Sequence, residues 1–178
     1  CTTITEPNGE KSYSEDFEGA MGVEWSTYIS SSTYGRNERS TYSSATGSYG
    51  WRMDVTSNRH YNLNELILHV TVTGGTYLHL DYSTREYNDE QNTMSSTFTN
   101  HENSDGIAVS SDGINWVLLW QYPSSLSSWT TYTDVNIADY ISIDGDVYIK
   151  FQQYDNYVMS TDGIMWDDIQ LESDGTIT

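Results

Sequence analysis

The side chains in this sequence best equipped for chemistry are carboxylates, amides and flat aromatic rings. The densest polar cluster is Arg85-Glu86-Tyr87-Asn88-Asp89-Glu90, with a downstream complement in His101-Glu102-Asn103-Ser104-Asp105. Glu86, Asp89, Glu90 and Asp105 are hard oxygen donors that could hold a calcium ion or accept hydrogen bonds from sugar hydroxyls. A solvated acidic loop that resists edge-to-edge strand pairing accounts for the same residues. The aromatic residues point to carbohydrate, because a pyranose ring stacks its C–H face on Trp or Tyr while amides and carboxylates bond its hydroxyls. On this reasoning the ligand-binding set is Trp25, Tyr28 and Tyr34 in a first polar segment, with Gln152, Tyr154, Asn156 and Tyr157 in a second. Trp51, Trp116 and Trp166 stand at alternating strand positions and read as core. An exposed aromatic patch would serve a protein interface equally well.

Catalytic patterns are weak. Asp167-Asp168 and Asp89-Glu90 are adjacent pairs, and neighbours on a strand point to opposite faces, whereas glycoside hydrolysis needs opposed carboxylates about 5–10 Å apart. The four histidines, at 60, 69, 79 and 101, match no metal-ligand spacing, and there is neither a nucleophile elbow nor a phosphate-binding glycine loop. No catalytic residue is assigned, and the sequence reads as a binding module rather than an enzyme.

The charge is lopsided, with 26 Asp and Glu against 7 Lys and Arg for a net −19. Such a field repels phosphate backbones and anionic membrane surfaces, so nucleic acid is a poor partner. No apolar run approaches the roughly 18 residues that span a bilayer, so membrane insertion is not expected. The single cysteine, Cys1, excludes an intramolecular disulfide; a lipid-anchored Cys left by signal cleavage and a processed end explain its position equally. The composition suggests an extracellular, exported protein.

These residues must be positioned by short strands. In Glu65–Val72 the even positions Leu66, Leu68, Val70 and Val72 are apolar, and Gly74-Gly75 breaks the run before Thr76–Thr84 resumes the alternation. The two runs look like neighbouring antiparallel strands. Further candidates are Ser14–Phe17, Trp51–Val55, Gly106–Ser110, Asn115–Gln121, Thr130–Val135, Val147–Tyr154 and Ile164–Leu171. Five Asp-Gly dipeptides, at Asp105, Asp112, Asp144, Asp162 and Asp174, punctuate them. Two lie in near-copies of one phrase, Ser110–Trp116 and Ser160–Trp166, and all but Asp105 read chiefly as hairpin turns. Segments 24–48 and 85–104 are too polar for core strands and read as ligand-facing loops. The expected fold is all-β, a two-sheet antiparallel sandwich of jelly-roll type. Residues 13–172 form the domain, 1–12 an arm or linker, and 173–178 a tail.

Six motifs occur in order: Asp16-Phe17-Glu18-Gly19, Leu63–Leu68, Glu86–Glu90, Ser104–Ser110, Lys150–Asn156 and Asp162–Ile169. From about Ser12 to Leu171 the chain resembles the MAM-like, concanavalin-like jelly-roll modules appended to large secreted bacterial proteins. The resemblance implies an extracellular sandwich, often calcium-stabilised, related in architecture to carbohydrate-binding modules. It also implies a structural calcium between Glu18 and an aspartate of the last strand, Asp168 being favoured over Asp167, and suggests that Asn64-Glu65 joins the acidic cluster. The leading expectation is a calcium-stabilised module for polysaccharide or cell-surface glycan. The rival is a structural subunit of an extracellular filament, sheath or adhesive layer, a homo-oligomer in which Thr2–Thr5 and Thr176–Thr178 add to neighbouring sheets.

Overall fold

The computed structural model describes residues 4–5, 11–123, 126–159 and 161–178. Two seven-stranded antiparallel sheets pack face to face, the jelly-roll-type sandwich that the strand pattern predicts. The first sheet holds β1 (Ile4–Thr5), β2 (Lys11–Glu15), β4 (Gly35–Ser40), β5 (Gly50–Val55), β7 (His79–Glu86), β11 (Thr130–Asn136) and β13 (Ile164–Ser173). The second holds β3 (Trp25–Ile29), β6 (Asn62–Thr73), β8 (Thr97–Thr99), β9 (Gly106–Ser110), β10 (Asn115–Gln121), β12 (Gly145–Asp155) and β14 (Thr176–Ile177). Among the described residues the only helical element is one 3-10 turn, Ile137–Asp139, and no helix is long and apolar enough to cross a membrane.

Alternation sorts each strand into an inward and an outward set. Leu66, Leu68, Val70 and Val72 of β6 face inward beside Val147, Ile149 and Phe151 of β12, all at most 3% exposed. The opposite sheet presents Trp51, Leu80, Tyr82 and Trp166, and Phe151 meets Trp166 edge-on at 5.2 Å between centroids. Trp51 and Trp166 are core as expected. Trp116 is buried too, but in a second cluster with Met94 and Ala108.

The sequence reading needs correction in four places. β6 and β7 are not partners: β6 pairs with β3, β12 and β14, and β7 with β11 and β13. Each has one apolar face, and the two faces meet across the sandwich, so Gly74-Gly75 carries the chain from one sheet to the other. Segment 24–48 is not one loop, because it supplies β3 and β4. Their polar groups are satisfied: Asn37 accepts from the Trp51 indole at 2.6 Å and donates to the Tyr28 and Glu65 carbonyls. The 173–178 segment is not a free tail, since Thr176–Ile177 pairs with Val72–Thr73. Of the repeated turn phrases, Asp112-Gly113 does close the β9–β10 hairpin, whereas Asp162-Gly163 leads into β13 from a buried position. Cys1 and Pro7-Asn8-Gly9 lie outside the described residues.

Candidate functional site

At the Asn62/Asp155 end of β6 and β12, three loops meet. Thr56 N–H donates to the Tyr34 carbonyl at 2.8 Å, Arg59 N–H to the Asn156 carbonyl at 2.5 Å, and Val158 N–H to the Asn58 side chain at 2.9 Å. This brings together four sequence-predicted ligand residues, Tyr34, Tyr154, Asn156 and Tyr157, and adds His60 and Tyr61. The rings pair: Tyr34 stacks on His60 with centroids 3.7 Å apart, and Tyr61 on Tyr154 at 5.3 Å. Tyr61 is 59% exposed and presents an apolar ring to solvent, while Tyr34, His60 and Tyr154 are partly exposed. Asn156, in the same loops, is buried with its side-chain oxygen unpartnered.

Behind these rings the interior turns polar. Asn62 and Asn64 of β6, with their partners Asp155 and Gln153 of β12, occupy inward positions where the strands elsewhere carry Leu, Val, Ile or Phe. They form a directional relay. Ser31 N–H donates to Asn62 Oδ1 (2.7 Å), Asn62 to Asn64 Oδ1 (2.7 Å), Asn64 to Gln153 Oε1 (3.2 Å), and Gln153 to Asp89 Oδ1 (3.0 Å). The first loop is thus tied to a carboxylate on the opposite side of the end.

Asp89, Asp155 and Asp162 converge there, each offering one oxygen, with these oxygens within 4.8 Å of one another. They are the only such group of three among the described residues. Asp155 Oδ1 accepts from Tyr157 N–H at 2.8 Å and from Asn156 N–H, while its Oδ2 is buried without a partner. Asp162 Oδ1 accepts from Gly163 N–H at 3.1 Å. Burial, followed by the neighbouring carboxylates, pushes Asp162 far above the carboxylate range and raises Asp89; burial likewise raises Asp155. Asp105 stands beside them, fully buried, its oxygens taken by Tyr154 N–H (2.7 Å) and Asn92 N–H (2.6 Å), and burial raises it to about 7.

Several predicted site residues therefore move. Of the expected acidic set, only Asp89 belongs to the convergent group; Asp105 braces it, Glu86 is buried apart with Oε2 unpartnered, and Glu90 is on the surface. Asp155 and Asp162 were not expected. Trp25 is no sugar platform, because it packs between Phe17 and Phe151 and its indole donates to the Tyr13 hydroxyl at 2.6 Å. Gln152 is equally unavailable, being wholly buried and bonded to the Glu102 and Ser104 carbonyls. Tyr28 stays half-exposed, stacked on His101 at 3.8 Å.

Gln152 of β12 helps to fasten a flap, the segment around Phe98–Ser104 that includes His101, over the outer face of the β6–β12 sheet. Lys150 Nζ, 1% exposed, bonds Glu65 Oε1 at 3.0 Å and the Asn100 carbonyl at 2.7 Å, and lies 4.0 Å from the Trp116 ring centre. His101 Nδ1 meets the other Glu65 oxygen at 2.9 Å. The segment expected to be a ligand-facing loop is thus fastened to the sheet. Glu18 and Asp168 both engage the loop at 44–49: Glu18 accepts from Ser48 and Tyr49 N–H, each at 2.7 Å, and Asp168 from the Thr46 hydroxyl at 2.6 Å. A pocket of about 320 Å³ opens at the far end, beside Tyr13, Glu24, His69 and Thr178, away from the paired rings.

No protein-family model matches the chain, and no curated protein does. Solved structures do. The C-terminal family 22 carbohydrate-binding module of Clostridium thermocellum Xyn10B is 16% identical with a TM-score of 0.55, over 97% of this chain and 99% of that one. The K1 cleaved adhesin domain of Lys-gingipain from Porphyromonas gingivalis W83 is 12% identical with a TM-score of 0.54, over 90% and 96%. TmCBM61, solved with β-1,4-galactotriose, is 12% identical with a TM-score of 0.50, over 96% and 98%. At these identities the likeness establishes the fold, a β-sandwich shared with carbohydrate-binding modules.

Proposed function

We propose that the protein is a secreted, non-catalytic glycan-binding module that receives sugar rings on Tyr61–Tyr154 and Tyr34–His60. The observation that carries this reading is the two stacked ring pairs, with Tyr61 exposed and Tyr34, His60 and Tyr154 partly exposed, held by three hydrogen-bonded loops. Exposed aromatic faces suit pyranose C–H faces, and Asn58, Arg59 and Tyr157 in the same loops supply hydroxyl partners. The fold shared with carbohydrate-binding modules and the ordered MAM-like motifs support it. The net charge of −19 favours neutral over anionic polymers. In this reading calcium stabilises the fold.

The filament reading finds less support, because the strands it would lend to a neighbour are paired within the chain, Ile4–Thr5 with Lys11–Ser12 and Thr176–Ile177 with Val72–Thr73. The test is titration calorimetry against neutral xylan, galactan and glucan oligosaccharides. Tyr61→Ala and Tyr154→Ala should each weaken binding by about tenfold, as expected for losing roughly 1.4 kcal/mol of stacking. Absence of binding to every neutral glycan, or binding indifferent to both variants, would sink the proposal.

A further inference from the structure

The protein provides cations for two of its other buried carboxylates. Asp54, wholly buried, takes Arg36 at 2.5 Å and Arg52 at 2.9 Å, and Glu65 takes Lys150 at 3.0 Å. At Asp89, Asp155 and Asp162, which are 7%, 1% and 2% exposed, no Lys, Arg or His forms an ion pair among the described residues, and Asp105 adds a fourth carboxyl group beside them. Such a group must either take up protons or hold a cation.

The hydrogen bonds limit the first solution. Asp89 Oδ1 is the acceptor at the end of the amide relay, and Asp155 Oδ1 accepts two backbone N–H groups, bonds that favour the ionised form of both side chains. A different kind of observation points the same way. Asp155 Oδ2, on a side chain 1% exposed within this group, accepts no N–H, so only a proton on the neighbouring Asp162 or a cation could serve it. A buried acceptor left without a donor is costly, and a cation at the centre of the group would satisfy it.

We propose that Asp89, Asp155 and Asp162 hold one divalent cation of the hard, oxygen-preferring class, calcium in the first instance. The donor set is purely carboxylate, with neither thiolate nor imidazole, which suits calcium and not zinc or copper. Two ligand oxygens on opposite sides of a calcium ion lie up to about 4.8 Å apart at the usual ligand distance, and the three oxygens lie within that span. The ion joins the loop after β7, the end of β12 and the entry to β13. It is separate from the Glu18/Asp168 position and independent of glycan binding, so either proposal can fail alone.

The test uses the full chain freed of metal by chelation. Calcium chloride titrated in a calorimeter should bind saturably, and calcium about a thousandfold above its dissociation constant should raise Tm by roughly 10 °C. Asp162→Asn keeps the shape and removes a carboxyl group whose charged form burial disfavours, so it should fold with an apo Tm at or above that of the parent, bind one ion fewer, and lose this calcium-induced rise. Asp155→Asn should also bind one ion fewer, while Glu18→Gln keeps the ion held by Asp89, Asp155 and Asp162. Absence of saturable calcium binding by the parent chain would overturn the proposal, as would undiminished stoichiometry in both Asp155→Asn and Asp162→Asn.

Discussion

Two aspartates in near-identical phrases, Asp112 and Asp162, show how much a residue's surroundings decide. Asp112 is exposed and accepts from Ile114 and Asn115 N–H, both at 2.8 Å, and these bonds hold its carboxyl well below the usual range. Its charged form is therefore favoured by folding. It contributes stability above its unfolded pKa of about 4, and that contribution is lost as the pH falls below this value. Thermal melts of Asp112→Asn should accordingly show a shallower decline from about pH 5 to pH 2 than the parent; an unchanged acid profile would refute this. Asp162, in the matching phrase, is buried and shifted the opposite way. Turn chemistry alone could not separate the two, because Asp-Gly signals a turn wherever that turn lies. Asp54 gives a sharper stability test, since Asp54→Ala would leave Arg36 and Arg52 without their shared acceptor. Removing one partner of a buried ion pair costs about 3–5 kcal/mol, to be measured by urea unfolding. A loss below about 1 kcal/mol would mean that the guanidinium groups find other partners.

At the scale of the element, the flap is held by charge as much as by packing. Glu65 and Lys150 are each at most 1% exposed, so either single substitution strands a buried charge. The double variant Glu65→Leu/Lys150→Met should lose less stability than Glu65→Leu or Lys150→Met alone, as read from a double-mutant cycle of urea midpoints. Strict additivity would contradict the pairing. Alternation made most strands legible, since β6, β12 and β13 carry clear inward rows. Which strand pairs with which was not legible, because a Gly-Gly break looks the same whether the chain turns back within a sheet or crosses to the other. The polar end had a readable signal. Counting by twos from Leu66 back to Asn64 and Asn62, and from Phe151 on to Gln153 and Asp155, places amides and a carboxylate on the inward face of two paired strands. Their meeting with Asp89 and Asp162 was not readable, because it depends on loops far apart in sequence. Trp25 was misread because a strand only five residues long, with one inward anchor, resembles a loop.

Over the whole molecule, 26 acidic residues against 7 basic ones leave a self-repulsion that mobile ions should relieve. Raising sodium chloride from about 10 to 150 mM, roughly a fourfold shortening of the screening length, should raise Tm in chelated protein. A flat or falling profile would mean that the charges are already offset locally. The long axis of the sandwich has its own consequence. β6 runs twelve residues, roughly 40 Å, from Asn62 beside the paired rings to Thr73, where β14 and the start of β2 also lie. The C-terminus and the beginning of β2 thus share one pole and the aromatic surface occupies the other. A tether or chip linkage attached at Thr178 would hold the molecule upright, with its sugar-facing loops turned outward.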